Sequence, residues 1–327
     1  MKSVANIRIH ASQFPENVRR DLIASLRTRR VNHKFHYDSI KQTQKWLALH
    51  EAHSPARRDK NCLTTYGEAF AAAARKIKGK SVHVIGLGCG GGQKDTQLLC
   101  LLRAHGKEIA YTPCDVSTSM VLVARQAALS TLAEKKCFPF VCDLATADDL
   151  AGALRKVGPP QGASLVTFFG MIPNFAPQEI LPKLASLVRS QDWLIFSANL
   201  APGKNYAIGV KNVLPQYDNA LTRDWLLAFL TDLGVKRGDG KLIFKIKECV
   251  ANGLKRITAD FHFTRPVRIK IEGEFFDFRA GNDIQLFFSY RYTSERVHRI
   301  LLRHGLEVRQ EWIAESGEEG VFLCRRK

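Results

Sequence analysis

Paired cysteines are missing from this chain. Its eight cysteines include no C-x-x-C, and the closest two are Cys137 and Cys142. Neither a disulfide framework nor a zinc-binding Cys/His cluster is legible, so the expectation is reduced thiols and no metal. Long apolar runs are also absent. No stretch approaches the ~20 apolar residues of a membrane helix. Residues Met1 to Pro15 lack the apolar segment of a secretory signal. The expectation is a cytoplasmic protein that neither spans nor sits on a membrane. Repeats and low-complexity segments are lacking too, which excludes solenoid and disordered architectures.

What the chain has in excess is positive charge, +18 over 327 residues. Such a balance suits nucleic acid, an anionic surface or an acidic partner when it is concentrated. Here it is spread along the chain, and its densest clusters (Arg27, Arg29 and Arg30; Arg325, Arg326 and Lys327) are short. No basic block is interleaved with base-stacking aromatics, which argues against a nucleic-acid partner.

The length exceeds that of one compact domain, and two lobes are expected. Helical periodicity predicts helices over Phe14 to Arg30, residues 43–53 and Tyr66 to Ile77. From Ser81 to Ser197 short apolar runs alternate with helical segments. The strands are read at 81–86, 109–115, 138–143, 164–169 and 192–197. This alternation marks a parallel sheet covered on both faces. Residues 201–289 break it. Gly203 to Asn212 reads as a loop, Ala220 to Leu233 as a helix, and 242–247, 256–262, 267–271 and 285–290 as strands. A helix (Ser294 to His304) and two strands (306–313 and 320–324) then close the chain. The expected fold is α/β, a mostly parallel Rossmann-like core ending in an antiparallel hairpin, plus a second α+β lobe. The core is drawn at 58–200 and 290–327 and the other lobe at 1–57 and 201–289, with a site shared by both.

The strongest local signal is Val84 to Gly92, where Gly86, Gly88, Gly90, Gly91 and Gly92 crowd between a strand and a helix. Glycines there let the backbone pass close to a ligand at the carboxyl end of the first strand. A bare turn is the bland alternative. A dinucleotide is the rival ligand, since Gly86, Gly88 and Gly91 nearly fit G-x-G-x-x-G. Asp115 ends the second strand, where a carboxylate can accept two ribose hydroxyls. It could instead cap the next helix, a role open to Ser117 or Ser119 as well. Asp143 ends the third strand, followed by Leu144, and could also be a cap.

In order and spacing the chain resembles the histidine Nα-methyltransferases of the ergothioneine pathway and their fungal relatives that methylate tryptophan derivatives. The resemblance runs over nearly the whole chain. It rests on Lys34-Phe-His-Tyr-Asp38, Gly86-Leu-Gly-Cys-Gly90 with Lys94, Asp115-Val-Ser117, Asp143-Leu144, Phe168-Phe-Gly170 with Asn174-Phe-Ala-Pro177, and Tyr217-Asp-Asn219. It implies a class I methyltransferase core that binds S-adenosyl-L-methionine through Gly86, Gly88, Gly90, Lys94, Asp115, Asp143 and Leu144. Asp143 would meet the adenine amino group and Leu144 the ring. Tyr37 and Asn174 would be the catalytic pair that orients an amine, with Tyr217 holding the carboxylate of a small amino-acid substrate. Three departures stand out. Gly86 replaces an acid, His53 lies in a segment that has lost a tyrosine, and Phe287, two residues before Ser289, replaces a glutamate that would face an imidazole. The expected activity is N-methylation of the α-amino group of an amino acid or related small amine, with an aromatic side chain favoured over histidine. The alternatives are a cofactor-binding protein without catalysis and a methyltransferase acting on RNA or protein.

Overall fold

A computed structural model describes residues 4–159 and 162–327. In chain order the strands are β1 (Arg8–Ile9), β2 (Ser81–Leu87), β3 (Glu108–Asp115), β4 (Phe140–Val141), β5 (Ala163–Phe168), β6 (Trp193–Asn199), β7 (Gly240–Cys249), β8 (Leu254–Phe263), β9 (Val267–Ile271), β10 (Glu274–Phe278), β11 (Asp283–Arg291), β12 (Leu306–Ile313) and β13 (Glu319–Arg326). The chain divides into two compact units. One comprises residues 1–14, 55–200 and 292–327, the other 15–54 and 201–291.

The first unit is built on one eight-stranded sheet in the order β1-β4-β3-β2-β5-β6-β13-β12. Strands β1 to β6 pair in parallel, and β13 runs antiparallel to both β6 and β12. The expected Rossmann-like core with its closing antiparallel hairpin is therefore present. Strands β2 to β6 are almost wholly buried, as strands covered by helices on both faces must be. Their side chains pack with Tyr66, Phe70, Leu98, Leu99 and Leu102 from the helices Lys60–Lys76 and Gln93–Ala104. Local signals set the helix starts. Ser117 caps the helix Thr118–Ala128 by accepting the Met120 N–H, and Thr293 caps Ser294–Arg303 in the same way through Arg296. Strand β1 was not read from the sequence, and it attaches residues 8–9 to the edge of this sheet rather than to the other unit. Only two residues long, it carries no periodicity to read. The third expected strand, 138–143, narrows to Phe140–Val141.

The second unit carries a three-stranded antiparallel sheet, β11-β8-β7, and the separate hairpin β9-β10. The helices Pro15–Thr28 and Ala220–Asp232 supply Ile23, Leu26, Trp225 and Phe229 to a core with Phe261, Phe263, Ile269 and Leu286, against which Trp46 and Leu49 of the helix Ile40–His53 pack. The segment 203–212 is not a loop, because Tyr206–Val213 is a helix whose start Asn205 caps by accepting the Ile208 N–H. Gly209 is a close-approach position, where an added Cβ would lie 2.3 Å from the Pro202 carbonyl oxygen. Strand β10 was also missed. It pairs with β9 across Glu272 and Gly273, both at positive φ. Among the described residues no helix is long and apolar enough to cross a membrane.

Candidate active site

In the first unit the glycine-rich segment leaves β2 and opens the helix Gln93–Ala104. Gly92 is the N-cap at φ 74°, and its Cα faces the backbone of Ala124 in the neighbouring helix. A Cβ on Gly88 would lie 2.6 Å from the Met171 side chain. The loop therefore presents bare backbone, as a closely approached ligand requires. Asp115, at the end of β3, accepts the Gly90 N–H on one oxygen and the Ser117 N–H on the other, each at 3.0 Å. Burial raises its pKa, and these backbone N–H groups oppose the rise. Each oxygen keeps a second lone pair, so the carboxylate joins the loop and can still accept two hydroxyls.

Asp143 shapes its own turn. One oxygen accepts the Ala145 N–H and the other the Thr146 hydroxyl, both at 2.9 Å. Leu144 is buried beside it, and Lys183 donates to the carbonyls of Leu144 and Ala145. Asn174 ends a short 3-10 turn, Ile172–Asn174, just before the helix Pro177–Leu187.

Lys94 sits in a cluster that sequence reasoning missed. Its ammonium donates to the Tyr66 hydroxyl at 2.7 Å and lies 3.9 Å from Glu319, while Tyr66 donates to Glu319. Burial lowers the pKa of Lys94, and Glu319 opposes that shift. Tyr66 and Glu319 are 253 positions apart in sequence. No local signal links them.

In the second unit the Lys34–Asp38 segment is anchored residue by residue. Lys34 is buried and paired with Asp21 at 2.6 Å. His36 Nε2 donates to the Leu286 carbonyl at 2.7 Å, and the Trp225 indole donates to the His36 carbonyl at 2.8 Å. The Leu286 carbonyl lies at a bulge in β11, where the register slips between Gln285 and Phe287. Residues Arg29 and Val31 pair with Gln285 beside the bulge. Tyr37 follows, with its ring 6.0 Å from Trp46 and 5.5 Å from Trp225. Burial holds both neighbouring histidines neutral, with His33 pushed down to about 3 and His36 to about 4.

Tyr217, Phe287 and Ser289 come together. The Tyr217 hydroxyl donates to Ser289 Oγ at 2.9 Å, and Arg291 donates to the Tyr217 oxygen at 2.9 Å. Phe287 is 8% exposed and faces the rings of His33 (5.3 Å), Trp225 (5.8 Å) and Tyr217 (6.3 Å). Its cross-strand partner is Ala259. His53 stands apart, exposed at the end of the helix Ile40–His53.

The order of the large sheet, its reversed last pair and a glycine loop on its first long strand are those of a class I methyltransferase dependent on S-adenosylmethionine. The chain belongs to the family of histidine-specific, S-adenosylmethionine-dependent methyltransferases, whose model matches residues 18–326. No curated protein is significantly similar in sequence. Similar solved structures include an S-adenosylmethionine-dependent methyltransferase from Clostridium acetobutylicum ATCC 824. It is 12% identical, with a TM-score of 0.45, covering 86% of this chain and 98% of that one. Another is magnesium protoporphyrin IX methyltransferase from Synechocystis PCC 6803 with bound SAH. It is 13% identical, with a TM-score of 0.46, covering 90% of this chain and 98% of that one. These likenesses are too distant to bear on substrate.

The residues of the first unit fit the cofactor. The bare loop backbone and the spare lone pairs of Asp115 suit a nucleoside with a ribose diol. Bound there, S-adenosylmethionine would supply an activated methyl group on a sulfonium.

Proposed function

We propose that the protein methylates the α-amino group of an amino acid or a close derivative, and that it prefers an aromatic side chain to histidine. In this reading the cofactor is held by Gly86, Gly88, Gly90, Lys94, Asp115, Asp143 and Leu144. Tyr37 and Asn174 orient the amine, and Tyr217 with Ser289 binds the carboxylate. Phe287 forms the wall against the side chain. His53, exposed at its helix end, is the weakest member of the set.

Methyl transfer from a sulfonium is an in-line displacement, so the protein chiefly supplies proximity and alignment. The attacking amine must be neutral. A site lined by phenols and an amide desolvates an ammonium without offering it a counter-charge, which favours the free base. No dedicated strong base is required.

The observation that carries the substrate preference is the setting of Phe287. Rings surround it, and its cross-strand partner is the small Ala259. A buried imidazole without a polar partner loses about 1–3 kcal/mol, roughly fivefold to 150-fold in affinity. An indole loses little there and gains ring contacts.

Competition between histidine and tryptophan-like amines, read as kcat/KM with labelled cofactor and mass spectrometry, is the test. The aromatic amine should win. A wide margin for histidine would refute the side-chain reading, and turnover on no α-amine would refute the amino-acid reading. Asn174→Ala should cripple turnover on any accepted amine while leaving cofactor affinity nearly unchanged.

A further inference from the structure

Gly86 has no side chain, and a carboxylate from elsewhere fills the space. A Cβ built on Gly86 would lie 2.2 Å from Oδ2 of Asp95 and 3.1 Å from the Tyr111 hydroxyl. Asp95 belongs to the first turn of the helix Gln93–Ala104 and is 3% exposed. Tyr111 donates to one of its oxygens and Thr167 to the other, each at 2.7 Å. Tyr111 is on β3 and Thr167 on β5, the strands flanking β2. The carboxylate thus reaches across three strands at the point where the chain's crossovers part to either side of β2, the usual ligand position in an open α/β sheet.

Its protein partners leave it under-compensated. Both hydroxyls are neutral. The helix N-terminus offers only a partial positive charge of about half an electron. Among the described residues no ion pair reaches Asp95, because the adjacent Lys94 directs its ammonium at Tyr66 and Glu319. Burial raises the pKa of Asp95, opposed by its two hydroxyl bonds and by Lys94. A buried carboxylate in such a setting is costly to keep ionised unless a cation arrives. The cofactor carries two cations at its amino-acid end, an ammonium and a sulfonium.

We propose that Asp95 is a cofactor-binding residue: its carboxylate, passing through the space left by Gly86, receives the cationic amino-acid end of S-adenosylmethionine. Gly86 is then required for the room it leaves. The competing role is purely structural, a clasp joining β3, β5 and the helix.

Calorimetric titration of the full chain with S-adenosylmethionine and with S-adenosylhomocysteine separates the two. Asp95→Asn preserves shape and removes charge. It should weaken S-adenosylmethionine by at least ~tenfold, as expected for a charged hydrogen-bond partner, with an unfolding midpoint close to that of the parent. A larger loss for S-adenosylmethionine assigns the pairing to the sulfonium, and equal losses assign it to the ammonium. Wild-type affinity for both ligands in a folded Asp95→Asn variant would overturn the proposal. The double variant Gly86→Asp/Asp95→Ser returns a carboxylate to the same space from the strand and should regain most of the lost affinity. Should Asp95→Asn fail to fold, the double variant decides, since a folded double variant that still binds neither ligand would equally overturn it.

Discussion

Removing the carboxylate of Asp115 should weaken cofactor binding in a way that can be divided into parts. The side chain is 7% exposed and already holds the Gly90 and Ser117 N–H groups, one per oxygen, at 3.0 Å. If the remaining lone pairs accept the ribose hydroxyls, Asp115→Ala removes charge-assisted bonds worth on the order of 1.5–3 kcal/mol. That corresponds to a Kd raised roughly tenfold to 150-fold. The same change strands two backbone N–H groups, at about 1–3 kcal/mol each where they stay buried. This second cost falls on the free protein as well, so it belongs mainly in the unfolding curve. Titration calorimetry with S-adenosylhomocysteine and chemical denaturation of the same variant therefore read different terms. A cofactor analogue lacking one ribose hydroxyl closes the cycle. It should bind the parent more weakly, yet lose little further in Asp115→Ala. Unchanged affinity in a folded variant would remove Asp115 from the site. An undiminished penalty for the deoxy analogue would show that the loss comes through the loop.

Two further outcomes follow from the geometry. Gly92→Ala places a Cβ 2.7 Å from the Ala124 Cα in a left-handed backbone position. Strain of about 1–2 kcal/mol adds to overpacking of about 1–3 kcal/mol against backbone that cannot rotate away. A urea unfolding shift worth less than ~1 kcal/mol, the typical effect of an arbitrary substitution, would refute this packing. The buried histidines predict a pH dependence. Burial pushes His33 down to about 3 and His36 to about 4 in the folded protein, against the ordinary histidine value of 6.5. The unfolded chain thus binds more protons as pH falls. Their contribution is fully present above ~6.5 and is lost as pH drops toward 4, with a slope of up to ~1.4 kcal/mol per pH unit for each. Unfolding followed by tryptophan fluorescence at pH 7, 6 and 5 should show the decline, and His33→Phe should remove about half of the slope. Equal stability at all three values would refute the burial of both rings.

Much of the first unit was legible because its signals are local. Buried parallel strands read as short apolar runs, caps such as Ser117 lie beside the helices they start, and the glycine loop sits between two such elements. The errors fell where a local rule met a tertiary exception. The segment from Gly203 to Asn212 reads as a loop, yet Tyr206–Val213 is helical. The helix exists because Gly209 lets it press on the Pro202 backbone while Val210 and Val213 are buried. Strand β1 owes its existence to its partner, since it is two residues long, whereas β10 carries a short period-2 pattern, with Phe276 and Phe278 buried in the core, that is easily passed over beside the longer run of β9.

The site divides along the same line. Backbone-defined parts, the glycine loop and the strand-end carboxylates, follow from position in a parallel sheet. Side-chain clusters do not, because their members come from distant segments. The Lys94–Tyr66–Glu319 cluster and the Asp95–Tyr111–Thr167 clasp are joined only by folding. The Lys34–Asp38 segment is the instructive case. Resemblance singled it out for Tyr37, yet two of its other members do visible structural work: Lys34 neutralises buried Asp21, and His36 answers the carbonyl that the β11 bulge leaves out of the ladder. Losing the extra residue Leu286 would strip His36 of that carbonyl, while Phe287 would stay opposite Ala259 and Ser289 opposite Ile257. Deleting Leu286 should therefore destabilise the second unit, by about 1–3 kcal/mol for the buried His36 N–H left unpaired, while Tyr217 still meets Ser289 and the first unit keeps its cofactor affinity. A deletion variant that unfolded at the parental denaturant concentration would show that the bulge carbonyl does not hold His36.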